Sequence, residues 1–132
     1  MQYQNRMSRD ELVELAIKKY FGSVDVKDLD GTTDCFHDEA VLTVQTAFTV
    51  HAGKANIRRM FVDFFGAYDV IIHRDFNCTV DDANGRITAS FVAELTSPDG
   101  SKTYLENTNF WRVREGRFQE VYVYMSGENP LI

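Results

Sequence analysis

The sequence predicts an α+β fold in which helices from the first half cover one face of a strongly curved antiparallel sheet built by the second half. Three observations carry this. From Val70 to Met125, runs rich in Val, Ile, Thr, Phe, Tyr and Trp suit a half-buried pleated surface. Those runs are separated by Asp82-Ala83-Asn84-Gly85, Ser97-Pro98-Asp99-Gly100 and Arg114-Glu115-Gly116, where Gly supplies φ > 0 and Pro presets φ. Before residue 70, apolar residues recur at helical spacing instead.

At 132 residues the chain is expected to form a single domain over 1–132 that buries roughly two-thirds of its unfolded surface. A net charge of -6 with scattered Lys and Arg offers no basic stripe to release counterions, which argues against nucleic acid. No apolar run approaches the roughly 18 residues of a membrane span. The stretch Met1 to Asp10 is polar and lacks a signal-peptide core, so a cytoplasmic location is expected. Cys35 and Cys78 lie far apart with no ligand spacing and read as buried, reduced thiols.

The elements follow in order. Ser8-Arg9-Asp10-Glu11 matches a capping box. Leu12, Leu15, Ala16, Val13, Ile17, Tyr20 and Phe21 then give a broad apolar stripe that Gly22 is expected to end. Asp25 can cap a second helix carrying Val26, Leu29 and Phe36, within which Gly31 costs about 1 kcal/mol relative to Ala. Ala40 to Val50 reads as a short hairpin, broken at His51-Ala52-Gly53. A third helix starts near Lys54, with Ile57, Met60, Phe61, Phe64 and Phe65 facing the core until Gly66.

Strand alternation then assigns faces. Val70, Ile72, Phe76, Cys78 and Val80 share one face of the first long strand, opposite Ile71, His73, Asp75, Asn77 and Thr79. Ile87, Ala89, Phe91, Ala93 and Leu95 share a face of the next. Leu105, Asn107, Asn109 and Trp111 share a face of the third. The last strand is apolar on both sides, with Phe118, Tyr122 and Tyr124 against Val121, Val123 and Met125. Such a strand needs cover on both sides, and a second subunit is the natural second cover.

With these elements in place, Lys27-Asp28-Leu29-Asp30-Gly31, Phe36-His37-Asp38-Glu39-Ala40-Val41 and Gly53-Lys54-Ala55-Asn56-Ile57 resemble the NTF2-like superfamily over residues 8 to 127. That superfamily has a cystatin-like fold and includes ketosteroid isomerase, scytalone dehydratase and the SnoaL-like polyketide cyclases. The resemblance implies a cone formed by three helices and the sheet, holding a small apolar ligand, and a homodimer pairing through the sheet. Placing the Asp-Leu-Asp-Gly segment of ketosteroid isomerase on residues 28 to 31 brings its tyrosine onto Tyr20 and its protonated oxyanion-hole aspartate near Asn109. Its general-base aspartate falls on Val44, which cannot move a proton, so steroid isomerisation by that route is not implied. His73-Arg74-Asp75-Phe76-Asn77 resembles the His-x-x-x-Asn pattern of several SnoaL-like and scytalone-dehydratase-like proteins.

Each candidate has two readings. Tyr20 is a buried phenol with an ordinary hydrogen bond, or a donor to a substrate oxygen in a dry site. Asn109 belongs to a polar network or faces a ligand. His73, possibly with Asp75, is an acid or base suited to neutral pH, or lies on the wetter face of its strand unless a bulge re-aims it. His37 and His51 read as solvated turn residues. The three histidines lack metal spacing, so no metal is expected, and no phosphate-binding glycine loop or nucleophile motif is present. The expected protein binds a small molecule, and its enzyme reading is a cofactor-independent isomerase, dehydratase or cyclase. Tyr20, His73, Asn109 and Asp75 are its catalytic candidates, and Phe61, Phe65, Trp111, Tyr122 and Tyr124 its pocket walls. The alternative is a non-catalytic ligand-binding or dimerisation module of the same fold.

Overall fold

A computed structural model describes residues 4–132; residues 1–3, the start of the polar opening stretch, lie outside it. The capping box forms as expected: Glu11 N donates to Ser8 Oγ at 3.1 Å, and Ser8 N donates to Glu11 Oε1 at 3.0 Å. The helix it starts, α1, is α-helical over Arg9–Val13, π-helical over Glu14–Phe21 and α-helical again over Gly22–Asp25. Gly22 does not end it. Its φ of -59° is ordinary right-handed helix, and the chain turns away only at Lys27, with φ 58°. The second helix, α2 (Leu29–Thr33), is capped by Asp28 rather than Asp25, through Gly31 N to Asp28 Oδ1 at 3.0 Å. Phe36 is not on this helix but opens the first strand.

The third helix, α3 (Lys54–Ala67), buries Ile57, Met60, Phe61 and Phe64, the face expected of it. The strands are β1 (Phe36–Val44), β2 (Thr49–Ala52), β3 (Val70–Asp81), β4 (Arg86–Thr96), β5 (Lys102–Arg114) and β6 (Arg117–Tyr124). They form one six-stranded sheet in the order β2-β1-β6-β5-β4-β3. Contrary to the wholly antiparallel expectation, the sheet is mixed, because β1 pairs with β6 in parallel. Parallel partners are joined by long connections rather than hairpins, so no turn motif announces them. The expected turns hold the rest: Gly85 and Gly100 take positive φ, as do Glu115 and Gly116, whose paired positive angles match the twist of a tight hairpin.

The core lies between α1, α3 and one face of β3–β6. Ile87, Ala89, Phe91, Ala93 and Leu95 point into it from β4, and Leu105, Asn107, Asn109, Trp111 and Val113 from β5. On β6 a register shift opposite Arg112 and Val113 brings Phe118, Val121 and Val123 all inward. Tyr122 and Tyr124 therefore stand on the outer face, where the Tyr124 ring meets Phe110 at 5.7 Å.

β3 departs most from simple alternation. Asp75 and Phe76 together oppose Phe91, with Asp75 at φ 60°. This bulge changes the phase of the strand. Ile71 and His73 face inward before it, and Phe76, Cys78 and Val80 pack against the core after it. The face assignment made from alternation holds for neither whole set.

Candidate active site

The π-helical register of α1 sets the first wall. With i→i+5 bonding the turn widens, so residues five apart come closer to one face than in an α-helix. Leu15 and Ala16 thus align with Tyr20 and Phe21, and all four are buried. Tyr20 meets the rings of Phe36, Phe118 and Trp111 edge-on, at 5.7, 5.3 and 6.3 Å. Phe65 stands behind Phe61, ring to ring at 5.7 Å.

A cavity of about 30 Å³ lies in this core. Its polar lining consists of Tyr20, His73, Asn107 and Asn109; its apolar lining includes Phe21, Phe61, Phe64, Phe91, Met125 and Leu131. Burial pushes the Tyr20 phenol far above its ordinary pKa, with the Cys35 thiol adding a smaller upward push. Tyr20 is therefore a hydrogen-bond donor across the whole working pH range. Asn109 is 3% and Asn107 5% exposed, and the Oδ1 atoms of both, like Trp111 Nε1, have no hydrogen-bond partner among the described residues.

His73 reaches the cavity because it precedes the bulge. Its Nδ1 lies 2.6 Å from Asp25 Oδ1, and its backbone N donates to Asp25 Oδ2 at 2.8 Å. The imidazole stacks on Phe21 at 4.3 Å and 26°, and its side chain is 8% exposed. A carboxylate beside Nδ1 holds a proton on that nitrogen, which in the neutral ring leaves Nε2 bare. Nothing among the described residues bonds that nitrogen, and the ring lines the cavity. A bare imidazole nitrogen, held in orientation and facing an apolar space, is equipped to take up or deliver a proton.

Asp75 is not part of this arrangement. Its side chain is 66% exposed and pairs with Arg74. The carboxylate partner of His73 is Asp25, on α1, a residue the sequence suggests only as a helix cap; its spacing from His73 belongs to no local motif. Tyr122 and Tyr124 lie across the sheet from the cavity. Trp111 backs the Tyr20 ring without lining the cavity. Val44 is fully buried. His37 pairs with the backbone carbonyl of Arg114. His51 is no solvated turn residue: it is 4% exposed, with Nε2 2.8 Å from the Leu131 carbonyl and Nδ1 facing Arg59. Among the described residues, no group of three or more His, Cys, Asp or Glu converges as a metal site.

A cone of helices on a mixed, curved sheet, with a few inward polar groups, defines the class: the ketosteroid isomerase-like, or NTF2-like, fold. The profile of the SnoaL-like domain matches residues 17–121, and the chain belongs to that family. Among solved structures, a Xanthomonas campestris pv. campestris protein assigned as a polyketide cyclase aligns with a TM-score of 0.79 at 19% identity, covering 88% of this chain and 90% of that one. The epoxide hydrolase/cyclase-like enzyme of pyran ring formation in polyether salinomycin aligns at 0.79 and 17% identity, over 90% and 93%. An LEH-like epoxide hydrolase of M. tuberculosis aligns at 0.77 and 12% identity, over 89% and 84%. No curated protein matches in sequence. No helix among the described residues is long and apolar enough to cross a membrane.

Proposed function

We propose that this chain is a cofactor-independent enzyme that moves a proton on a small, mostly apolar carbonyl or hydroxy compound held in the cone, in an isomerisation, dehydration or cyclisation. The observation that carries the reading is the 2.6 Å contact of His73 Nδ1 with Asp25, on a ring that faces the cavity. His73 is the acid or base, and Asp25 holds its tautomer and steadies the imidazolium, the part a buried carboxylate plays beside other catalytic imidazoles. Tyr20 and Asn109 hydrogen-bond the substrate oxygen, where charge develops in a dry site and is best stabilised. The solved relatives described as cyclase and epoxide hydrolase agree with small-molecule chemistry without fixing the reaction.

The cavity volume of about 30 Å³ supplies room for water-sized occupants. Small-molecule sites take roughly 300 Å³ or more. A substrate of that size therefore needs the cone to widen around it. The same volume favours the second reading, a binding or dimerisation module whose cone is closed core.

Solvent-deuterium incorporation next to the carbonyl of neutral cyclic ketones, followed by NMR, separates the two. The enzyme reading expects exchange that falls roughly 10²- to 10⁴-fold in His73→Ala and more modestly in Tyr20→Phe. Full exchange rates in both variants would contradict it. The outer face of the sheet, with Phe110 and Tyr124 each 43% exposed, is the proposed homodimer surface. Sedimentation should show a dimer that the Phe110→Lys, Tyr124→Lys double variant converts to monomer; an unchanged dimer would move the interface elsewhere.

A further inference from the structure

We infer that Asn107 is a second ligand-holding residue of the cone, and that the ligand is a neutral molecule with two oxygen functions, one taken by Asn109 and the other by Asn107. This rests on the reading of the cone as a small-molecule site, and it is independent of whether His73 moves a proton.

The two amides sit two residues apart on one face of β5, so their backbones are separated by about 6.7 Å along the strand. Both are almost wholly buried and line the cavity, and both carry an Oδ1 without a partner among the described residues. Their cross-strand neighbours offer nothing polar from a side chain: Asn107 opposes Phe91, and Asn109 lies between Ala89 and Val123. A buried amide oxygen that accepts no hydrogen bond costs the fold the desolvation of that oxygen. Leucine occupies the preceding inward position of the same strand, Leu105, and would suit 107 equally well as core. Two consecutive inward amides facing one hollow are thus a feature that the free fold does not need and that an oxygen-bearing ligand satisfies.

The chemistry of the rest of the wall narrows the ligand. No Lys, Arg, Asp or Glu lines the cavity, so an ionised molecule would be desolvated there with no permanent counter-charge. An amide both donates and accepts, so each position takes a carbonyl or a hydroxyl. The aromatic walls, Phe21, Phe61, Phe64 and Phe91, suit a flat carbon frame between the two oxygens.

The test uses the full chain and two probes uncharged at neutral pH: 2,7-dihydroxynaphthalene, whose hydroxyls are separated by about the strand repeat, and 2-naphthol, which lacks one of them. Titration calorimetry should show the diol binding about five- to tenfold more tightly to the unaltered chain, the effect of one hydrogen bond. Asn107→Leu should abolish that preference, keep the affinity for 2-naphthol, and melt at the same temperature or higher. Asn107→Ala gives the same reading where the larger side chain prevents folding. Equal binding of both probes to the unaltered chain overturns the inference alone. So does a preference that survives in the variants, or a variant that melts several degrees lower with its preference intact, since the amide then serves the fold through protein or water. Binding of neither probe overturns the small-molecule reading beneath it. His73→Ala should bind both probes with the preference unchanged, and its loss there would overturn the independence claimed for Asn107.

Discussion

His73 keeps the inward phase of Ile71, and the bulge that follows it breaks the pattern. Alternation from Ile71 would send His73 and Asp75 to the same side, and the bulge at Asp75 breaks that rule so that Phe76 takes the next inward position. His73 lies on the buried side of the break, within reach of a carboxylate 48 residues earlier. The histidine itself was legible in the sequence as a candidate. Its partner was not, because Asp25 and His73 meet only through the docking of α1 on β3. The buried thiol of Cys35 makes a separate prediction. Burial raises it from its ordinary 9.0 to about 11, outweighing the neighbouring charges. The folded chain therefore holds this proton more tightly than the unfolded one. Its contribution is fully present below pH 9 and is lost as pH rises from 9 toward 11, by about 3 kcal/mol at most. Urea unfolding of the parent and of Cys35→Ala across that window should show a steeper loss for the parent; parallel curves would contradict the assignment.

At the scale of elements, glycine shows what sequence patterns can and cannot specify. Gly22 reads as a helix stop, yet α1 runs straight through it, and a Cβ there would meet nothing within 4 Å. Gly22→Ala should therefore stabilise the protein by about 0.5–1 kcal/mol. Gly31 reads as a weak point in α2 and proves to be a requirement: a Cβ would lie 2.4 Å from Asp28 Oδ2 and 2.8 Å from Ser23 Oγ. Gly31→Ala should destabilise by about 1 kcal/mol or more, through loss of the Asp28 cap. Denaturant titrations giving both changes the same sign would contradict this account of α1 and α2. Periodicity identified α3 and the inward faces of β4 and β5 because each is a regular element with one buried side. It did not identify the π-helical stretch, whose five-residue spacing (Leu15 to Tyr20, Ala16 to Phe21) is hidden among residues that also fit a helix of ordinary pitch.

Across the whole molecule, turn chemistry and apolar periodicity were enough for the layer arrangement. They missed the parallel pairing of β1 with β6, for which no local residue is responsible. The same limit explains Tyr122 and Tyr124. Both sides of β6 are apolar, so only the register shift after Phe118 decides which side enters the cone. The cone that results is nearly filled. Pro130 and Leu131 line it, and the segment is held by Leu131 N donating to Asn129 Oδ1 and by the contact of the Leu131 carbonyl with His51. On the proposed reading this interior is a site, organised by an imidazole whose free nitrogen is presented inward. Nitrogen-15 NMR of the His73 ring reads that claim most directly. The expected spectrum has a ring proton fixed on Nδ1, an Nε2 resonance that moves when 2-naphthol is added, and loss of the single tautomer in Asp25→Asn. A ring that averages its tautomers as an exposed histidine does, unaffected by Asp25→Asn and by the probe, would contradict it.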